Sequence, residues 1–253
     1  MVRRLAGSEV SDCGDHLVIR TPLMPTFYWG NFLLLAGSCV VADAERWIQE
    51  FSHQFPAAAH VAIGWDRTTD RARGSLEPLQ QMGLQLQPDL VMTAVDVVAR
   101  QPLGLPVECR PLTTASDWLG LEALETEVLG VGPGVSDAHR DFLRARVAES
   151  RRLAETGRAA YFGAFLEGSL VSTAGMVVRH RVGRFQNVET APEHRRLGLA
   201  SALLELAGRF AREQLGAARL VIVADPAGPA AALYRSLGFI EAECQLGLQR
   251  EAA

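Results

Sequence analysis

A chain of 253 residues, 48% hydrophobic and 21% charged, carries enough apolar mass for one large core or two ordinary ones, which excludes disordered and fibrous classes. Its apolar runs, such as residues 32–36 and 220–224, fall far short of the ~20 residues that span a bilayer, so no membrane association is expected. A net charge of −4, with arginine supplying all 25 basic side chains, leaves no electrostatic footprint for nucleic acid.

The N-terminus turns acidic at Glu9, Asp12 and Asp15 before any apolar run develops, so no signal peptide is expected and the location is expected to be cytoplasmic. Cys13, Cys39, Cys109 and Cys244 are scattered without metal-ligand spacing, which reads as reduced structural thiols and no metal site.

Residues 16–21 and 31–36 are short apolar runs bounded by turn residues and read as strands. Residues 43–55 place Ala44, Trp47, Ile48 and Phe51 on one helical face, with Asp43 as N-cap and Pro56 beyond the end. A strand at 60–65, a polar stretch with Arg67 to Gly74, a short helix ending at Met82 and an extended run at 84–98 follow. Residues 101–106, with two prolines and a glycine, form the best linker, which predicts domains at 1–105 and 106–253.

The second half begins with a strand at 107–112 and an amphipathic helix at 116–128. A glycine-rich loop at 130–134 and a helix at 137–155 come next, then a hairpin of 161–166 with 170–179 turning at Glu167-Gly168. A strand at 184–190, a helix at 198–214, a strand at 219–224, a helix ending at Leu237 and a final pair of strands complete the chain. This order predicts an α/β fold with a mixed sheet, antiparallel strands first and crossover helices later.

The chemistry concentrates at 188–201. A strand ends at Thr190, Pro192 blocks its continuation and Gly198 opens a helix, so unpaired amides and the positive end of a helix dipole meet beside Arg195 and Arg196. Such a turn cradles anions, while Gly198, Ala200 and Ser201 keep it open to a phosphate. The plain alternative is a solvated arginine pair beside a helix-start glycine.

Arg195-x-x-Gly198-x-Ala200, set between a strand and a helix, resembles the Arg/Gln-x-x-Gly-x-Gly/Ala pyrophosphate loop of the GNAT superfamily of N-acyltransferases. The run from Ala231 through Tyr234 to Gly238-Phe239 resembles that family's Leu-Tyr-x-x-x-Gly-Phe element. The resemblance covers residues 107–253. It implies an acetyl-CoA-dependent N-acetyltransferase fold, with Arg195, Arg196, Leu197, Gly198, Leu199, Ala200 and Ser201 holding the pyrophosphate. It also implies that the main chain of Glu189, Thr190 and Ala191 pairs with the pantetheine arm.

An alkyl ammonium has a pKa near ~10.4, so attack on a thioester needs a proton acceptor. By resemblance that group is Glu189, with Glu193 and His194 as weaker candidates. The competing reading of Glu189 is an exposed strand carboxylate or the cross-strand partner of an arginine. The same resemblance makes Tyr234 the proton donor to the departing thiolate, against a reading as a core tyrosine. Many family members carry an Asn where Ala227 stands, a departure that touches the pantetheine contacts.

A fainter echo lies in the first half. Residues 31–66 repeat the strand, helix and strand of 187–225, and Leu79 to Leu84 echo Leu233 to Phe239, displaced by one position and lacking the tyrosine. This predicts a degenerate GNAT-like or accessory domain without the cofactor turn, and a tandem architecture overall. The acceptor is expected to be a small-molecule or peptide amine, and the protein a monomer or homodimer. The reading of a different class is a non-catalytic, CoA-responsive or partner-binding module.

Overall fold

The computed structural model describes residues 2–36, 43–66, 76–98, 104, 106–129 and 137–251. In chain order its elements are α1 (Val2–Leu5), β1 (Glu9–Asp12), β2 (His16–Arg20), β3 (Phe32–Leu35), α2 (Ala44–Gln54), β4 (His60–Trp65), α3 (Glu77–Gln81) and β5 (Gln85–Ala94). Then follow β6 (Val107–Pro111), α4 (Ala115–Val128), α5 (Asp137–Glu155), β7 (Ala159–Leu166), β8 (Ser169–Arg179) and β9 (Val182–Thr190). The last are α6 (Leu199–Glu213), β10 (Arg219–Ala224), α7 (Pro229–Ser236) and β11 (Ile240–Glu251). They divide into one unit of Met1–Val91, Ala224–Ala227 and Ala242–Ala253 and another of Met92–Val223 and Gly228–Glu241.

In the first unit the strands run β1-β2-β3-β4-β11-β5. The Asp43 carboxylate caps α2, accepting the Arg46 amide at 3.1 Å, and the helix buries Trp47 and Phe51 among Leu33, Leu35, Ile63 and Trp65. Leu246 and Leu248 of β11 belong to this same core. α1 and β1 escaped the sequence reading because neither has an apolar face; β1 is mostly exposed.

One expectation is corrected here. The chain does not end in a pair of strands: β11 is a single strand whose Leu246–Glu251 lie antiparallel to Trp65–His60 of β4. No turn interrupts 240–246, so a local hairpin had nothing to fold about, and the partner is remote in sequence. The compact units change over at Val91/Met92, and Ala242–Ala253 belong to the first. Most of the expected linker, residues 101–103 and 105, lies outside the described residues, as do the stretches 67–74 and 130–134.

In the second unit the order is β10-β9-β8-β7-β6, with β9 and β10 parallel and the rest antiparallel, the mixed α/β arrangement expected. Trp118 of α4 meets Tyr161 at 5.7 Å, and Phe210 of α6 meets Phe162 at 5.4 Å. Neighbouring residues of a strand face opposite ways, so α4 and α6 cover opposite faces of this sheet. Thr114 and Asp117 close a capping box on α4, and Arg110 grips the same Asp117 carboxylate at 2.9 and 2.8 Å, which holds it well below the usual carboxylate range.

Among the described residues no helix is long and apolar enough to cross a membrane, and no cluster of three His, Cys, Asp or Glu has metal-binding geometry. Cys13 and Cys109 are free thiols, the Cys244 thiol donates to the Gln245 carbonyl, and Cys39 lies outside the described residues.

Candidate functional site

β9 is irregular on one side and open on the other. Its pairing with β8 runs from Arg179↔Val182 to Gly175↔Gln186 and resumes at Thr173↔Glu189, so β9 carries an extra residue, and Asn187 takes a left-handed φ of 46° within the bulge. Against β10, only Val182, Gly183 and Arg184 are paired. From Phe185 onward that edge of β9 has no partner in β10.

Hydrogen bonds fix which main-chain groups face the opening. The Ala191 amide donates to the Val171 carbonyl at 2.9 Å, and the Glu189 carbonyl accepts the Ser172 hydroxyl at 2.8 Å, both toward β8. Alternation along the strand therefore turns Thr190 to the open edge, where its carbonyl accepts Arg195 Nε at 3.2 Å. Ala191 is buried with both main-chain groups used, since its carbonyl also accepts the His194 amide at 2.9 Å.

The chain then passes through a short helical turn at Pro192–His194 and reaches α6 through Arg196 at φ 65° and Gly198 at φ 84°. The Ala202 amide donates to the Gly198 carbonyl at 3.1 Å, while the amides of residues 196–201 meet no acceptor among the described residues. Leu199 and Ser201 anchor the first turn of α6 in the core, and Arg195, Arg196 and Leu197 lie at the surface. Free amides, a helix N-terminus and two guanidinium groups together make a local positive site with room for an anion.

Behind β9 lies a buried charged cluster. Arg146 of α5 donates from Nη2 to Glu189 Oε1 at 2.5 Å, and its Nε lies 3.6 Å from Oε1 of Glu125 on α4. Glu125 is completely buried, whereas Glu189 keeps 13% of its side-chain surface and Arg146 21%. Asn187 Nδ2, from the bulge, donates to Glu125 Oε1 at 3.4 Å. Burial pushes the Glu125 carboxyl up to about 7, with Arg146 pulling it down and Glu189 adding to the rise.

Tyr234 lies near the end of α7, 5% exposed, its phenol pushed up to about 12 by burial. Its ring is 6.2 Å from Phe239, which stands 5.9 Å from Phe185 of β9, so aromatic contacts tie this helix to the bulged strand.

Residues 132–239 match the acetyltransferase (GNAT) family. The match places a GNAT-family domain at residues 132–239. Solved structures extend the likeness of fold beyond it. A functionally unknown conserved protein from Staphylococcus epidermidis ATCC 12228 superposes with a TM-score of 0.73 at 13% identity, over 96% of this chain and 93% of that one. A GCN5-related N-acetyltransferase from Kribbella flavida gives 0.67 at 14% identity, over 100% and 96%. A tandem GNAT protein from the clavulanic acid biosynthesis pathway gives 0.58 at 12%, over 97% and 84%. No curated protein matches the sequence.

Within the GNAT domain, Arg195 to Ser201 form one continuous turn and Thr190 faces its approach. Glu189 stands on the strand leading to it, 13% exposed, with its carboxylate engaged by Arg146 of helix α5 rather than by an arginine across the sheet. Glu193 is exposed and His194 half-buried in the turn. Ala227 lies between β10 and α7, its amide donating to the Asp225 carboxylate at 2.9 Å. Sequence reading missed Glu125 and Arg146. Their signal was a charge on an apolar stripe: Glu125 follows Trp118 and Leu121 on α4, and Arg146 sits between Leu143 and Val147 on α5.

Proposed function

We propose that the GNAT domain transfers an acetyl or other short acyl group from an acyl-CoA thioester to a primary amine. One observation carries this reading: the unpaired edge of β9 runs into the amide-lined, arginine-flanked turn before α6. An extended, anionic ligand meets strand-like partners first and an anion cradle next. The residues fit coenzyme A on these terms. The amides of Arg196, Leu197, Gly198, Leu199, Ala200 and Ser201, with the Arg195 and Arg196 side chains, would hold the pyrophosphate. Thr190 would pair with the pantetheine arm, and Ala191 would shape the bend.

When bound, the thioester supplies the carbonyl that the amine attacks. Glu189 accepts a proton from the acceptor ammonium, and the Thr190 amide, turned to the open edge, stabilises charge on the carbonyl oxygen. Tyr234 donates a proton to the departing sulfur. Its high proton affinity keeps the phenol neutral, as a donor must be.

The same reading makes the first unit a degenerate copy of the fold. β3 and β4 are parallel around α2, as β9 and β10 are around α6, yet their pairing persists to the last residue of β4, Leu35↔Trp65. The Asp66 amide extends it by donating to the Leu35 carbonyl at 2.9 Å. The counterpart of the Arg195 turn falls within 37–42, outside the described residues.

Release of free thiol from acetyl-CoA across a panel of small and peptide amines tests the proposal, with amine-dependent release expected. Tight coenzyme A binding without amine-dependent release would replace it with a CoA-responsive module. Failure to bind any coenzyme A derivative would remove both.

A further inference from the structure

The Arg146 pairing poses a difficulty for Glu189 as a lone base, because taking up a proton there gives up an ion pair. Glu125 resolves it. The Nε and Nη2 atoms form one edge of the Arg146 guanidinium, and that edge faces both carboxylates, Glu125 at 3.6 Å and Glu189 at 2.5 Å. Two carboxylates around one guanidinium leave a single excess negative charge in a buried place. A proton cancels that charge without removing the arginine's remaining partner.

We infer that Glu125, Arg146 and Glu189 act as one proton-accepting unit, in which Glu189 meets the acceptor ammonium and Glu125 supplies the second negative charge that lets the unit hold the proton. The inference rests on the acyl-transfer reading above and deepens it. Exposure divides the roles: Glu189 and Arg146 reach the surface, while Glu125 is sealed off and acts through them as a positioning residue. The second oxygen of each carboxylate is buried without a hydrogen-bond partner, so each keeps an acceptor position in hand. The bulge has a part as well, since Asn187, in its left-handed conformation, donates to Glu125.

The surrounding charges are few. Among the described residues, the charges that bear on Glu125 are Arg146 from α5 and Glu189 from β9. Tyr161 of β7 bears on Arg146. Burial and the neighbouring Glu189 both raise the Glu125 carboxyl, to about 7, against the pull of Arg146.

The step balances. One N–H bond of the ammonium breaks toward the unit, leaving the electron pair on nitrogen to attack the thioester carbon. The carbon–sulfur bond then breaks, the thiolate takes a proton from Tyr234, and the nitrogen loses its second proton as the amide forms. One proton is released to solvent overall once the unit and the phenol are restored.

The test is the pH profile of kcat/KM for the amine in the full chain. The wild type is expected to lose activity as pH falls through about 7, where Glu125 takes up a proton and the second negative charge is lost. Glu125→Gln keeps the Asn187 contact and removes the charge. It is expected to move the acidic limb down by at least one pH unit and to lower the plateau about tenfold, the cost of a weaker base. Coenzyme A affinity is expected to stay unchanged, and Glu125→Asp to restore the limb in part. Side-chain carbon NMR of glutamate-labelled protein supplies a readout apart from activity, with one carboxyl titrating near neutrality in the wild type and missing from Glu125→Gln. Turnover whose acidic limb is unmoved by Glu125→Gln, or a spectrum without that carboxyl, overturns the inference alone. A wild type that turns over no amine overturns the acyl-transfer reading beneath it.

Discussion

Trp29 lies across Gly247: a β-carbon added at residue 247 would stand 2.3 Å from the indole Cη2. Residues far apart in sequence thus meet inside the first unit, and the glycine is what lets the indole approach the backbone of β11. The same indole packs edge-on against Phe32 at 5.5 Å, and Gly247, alternating with the core residues Leu246 and Leu248, meets it on the opposite face of β11.

Gly247→Val is therefore expected to destabilise the first unit by about 2 kcal/mol, the usual cost of forcing methyl groups into a packed site. Urea unfolding followed by tryptophan fluorescence measures it. A variant as stable as the wild type would show that β11 does not depend on this packing.

How this strand escaped the sequence reading is instructive. Residues with local signals were legible: Asp43 capped its helix, Glu167-Gly168 turned the hairpin with φ values of 50° and 83°, and Gly198 opened α6 where expected. Each of these is decided by neighbours within a few positions. The partner of β11 is decided by which sheet has a vacant place, and nothing in residues 240–251 encodes β4. The charged cluster was hidden for a similar reason. Glu125, Arg146 and Glu189 lie on three elements, and only packing brings them to one guanidinium edge. The missing tyrosine of the first unit could be read, and the structure gives it a place. The Leu79 carbonyl accepts the Leu84 amide at 3.2 Å just as that of Tyr234 accepts Phe239 at 3.1 Å, so Leu79 stands where Tyr234 would.

The proposed equivalence, with the paired edge of β3, predicts a single ligand site. A strand paired as far as Leu35↔Trp65 offers no free main chain to a pantetheine arm, whereas β9 is free from Phe185 onward. Calorimetric titration with coenzyme A is expected to give one site per chain, and Gly198→Leu, which forces a side chain into the left-handed region at φ 84°, is expected to weaken that site at least tenfold. Two equivalent sites, or binding that survives at Gly198→Leu, would contradict the placement of the cradle.

Tyr234 gives the sharpest prediction about chemistry. Burial pushes its phenol up to about 12, and a proton donor works only while protonated, so its donor form persists from neutral pH to well above 10. Turnover is accordingly expected to show no alkaline decline caused by this residue below about pH 11. Replacing Tyr234 by Phe keeps the ring that packs against Phe239 and removes the hydroxyl alone. Turnover is expected to fall about a hundredfold, the scale of losing one positioned general acid, while affinity for coenzyme A stays within about twofold. Steady-state rates measured beside binding separate the two quantities. Equal losses in both would assign Tyr234 to holding the fold together; an unchanged rate would take the leaving-group proton away from it and give it to solvent.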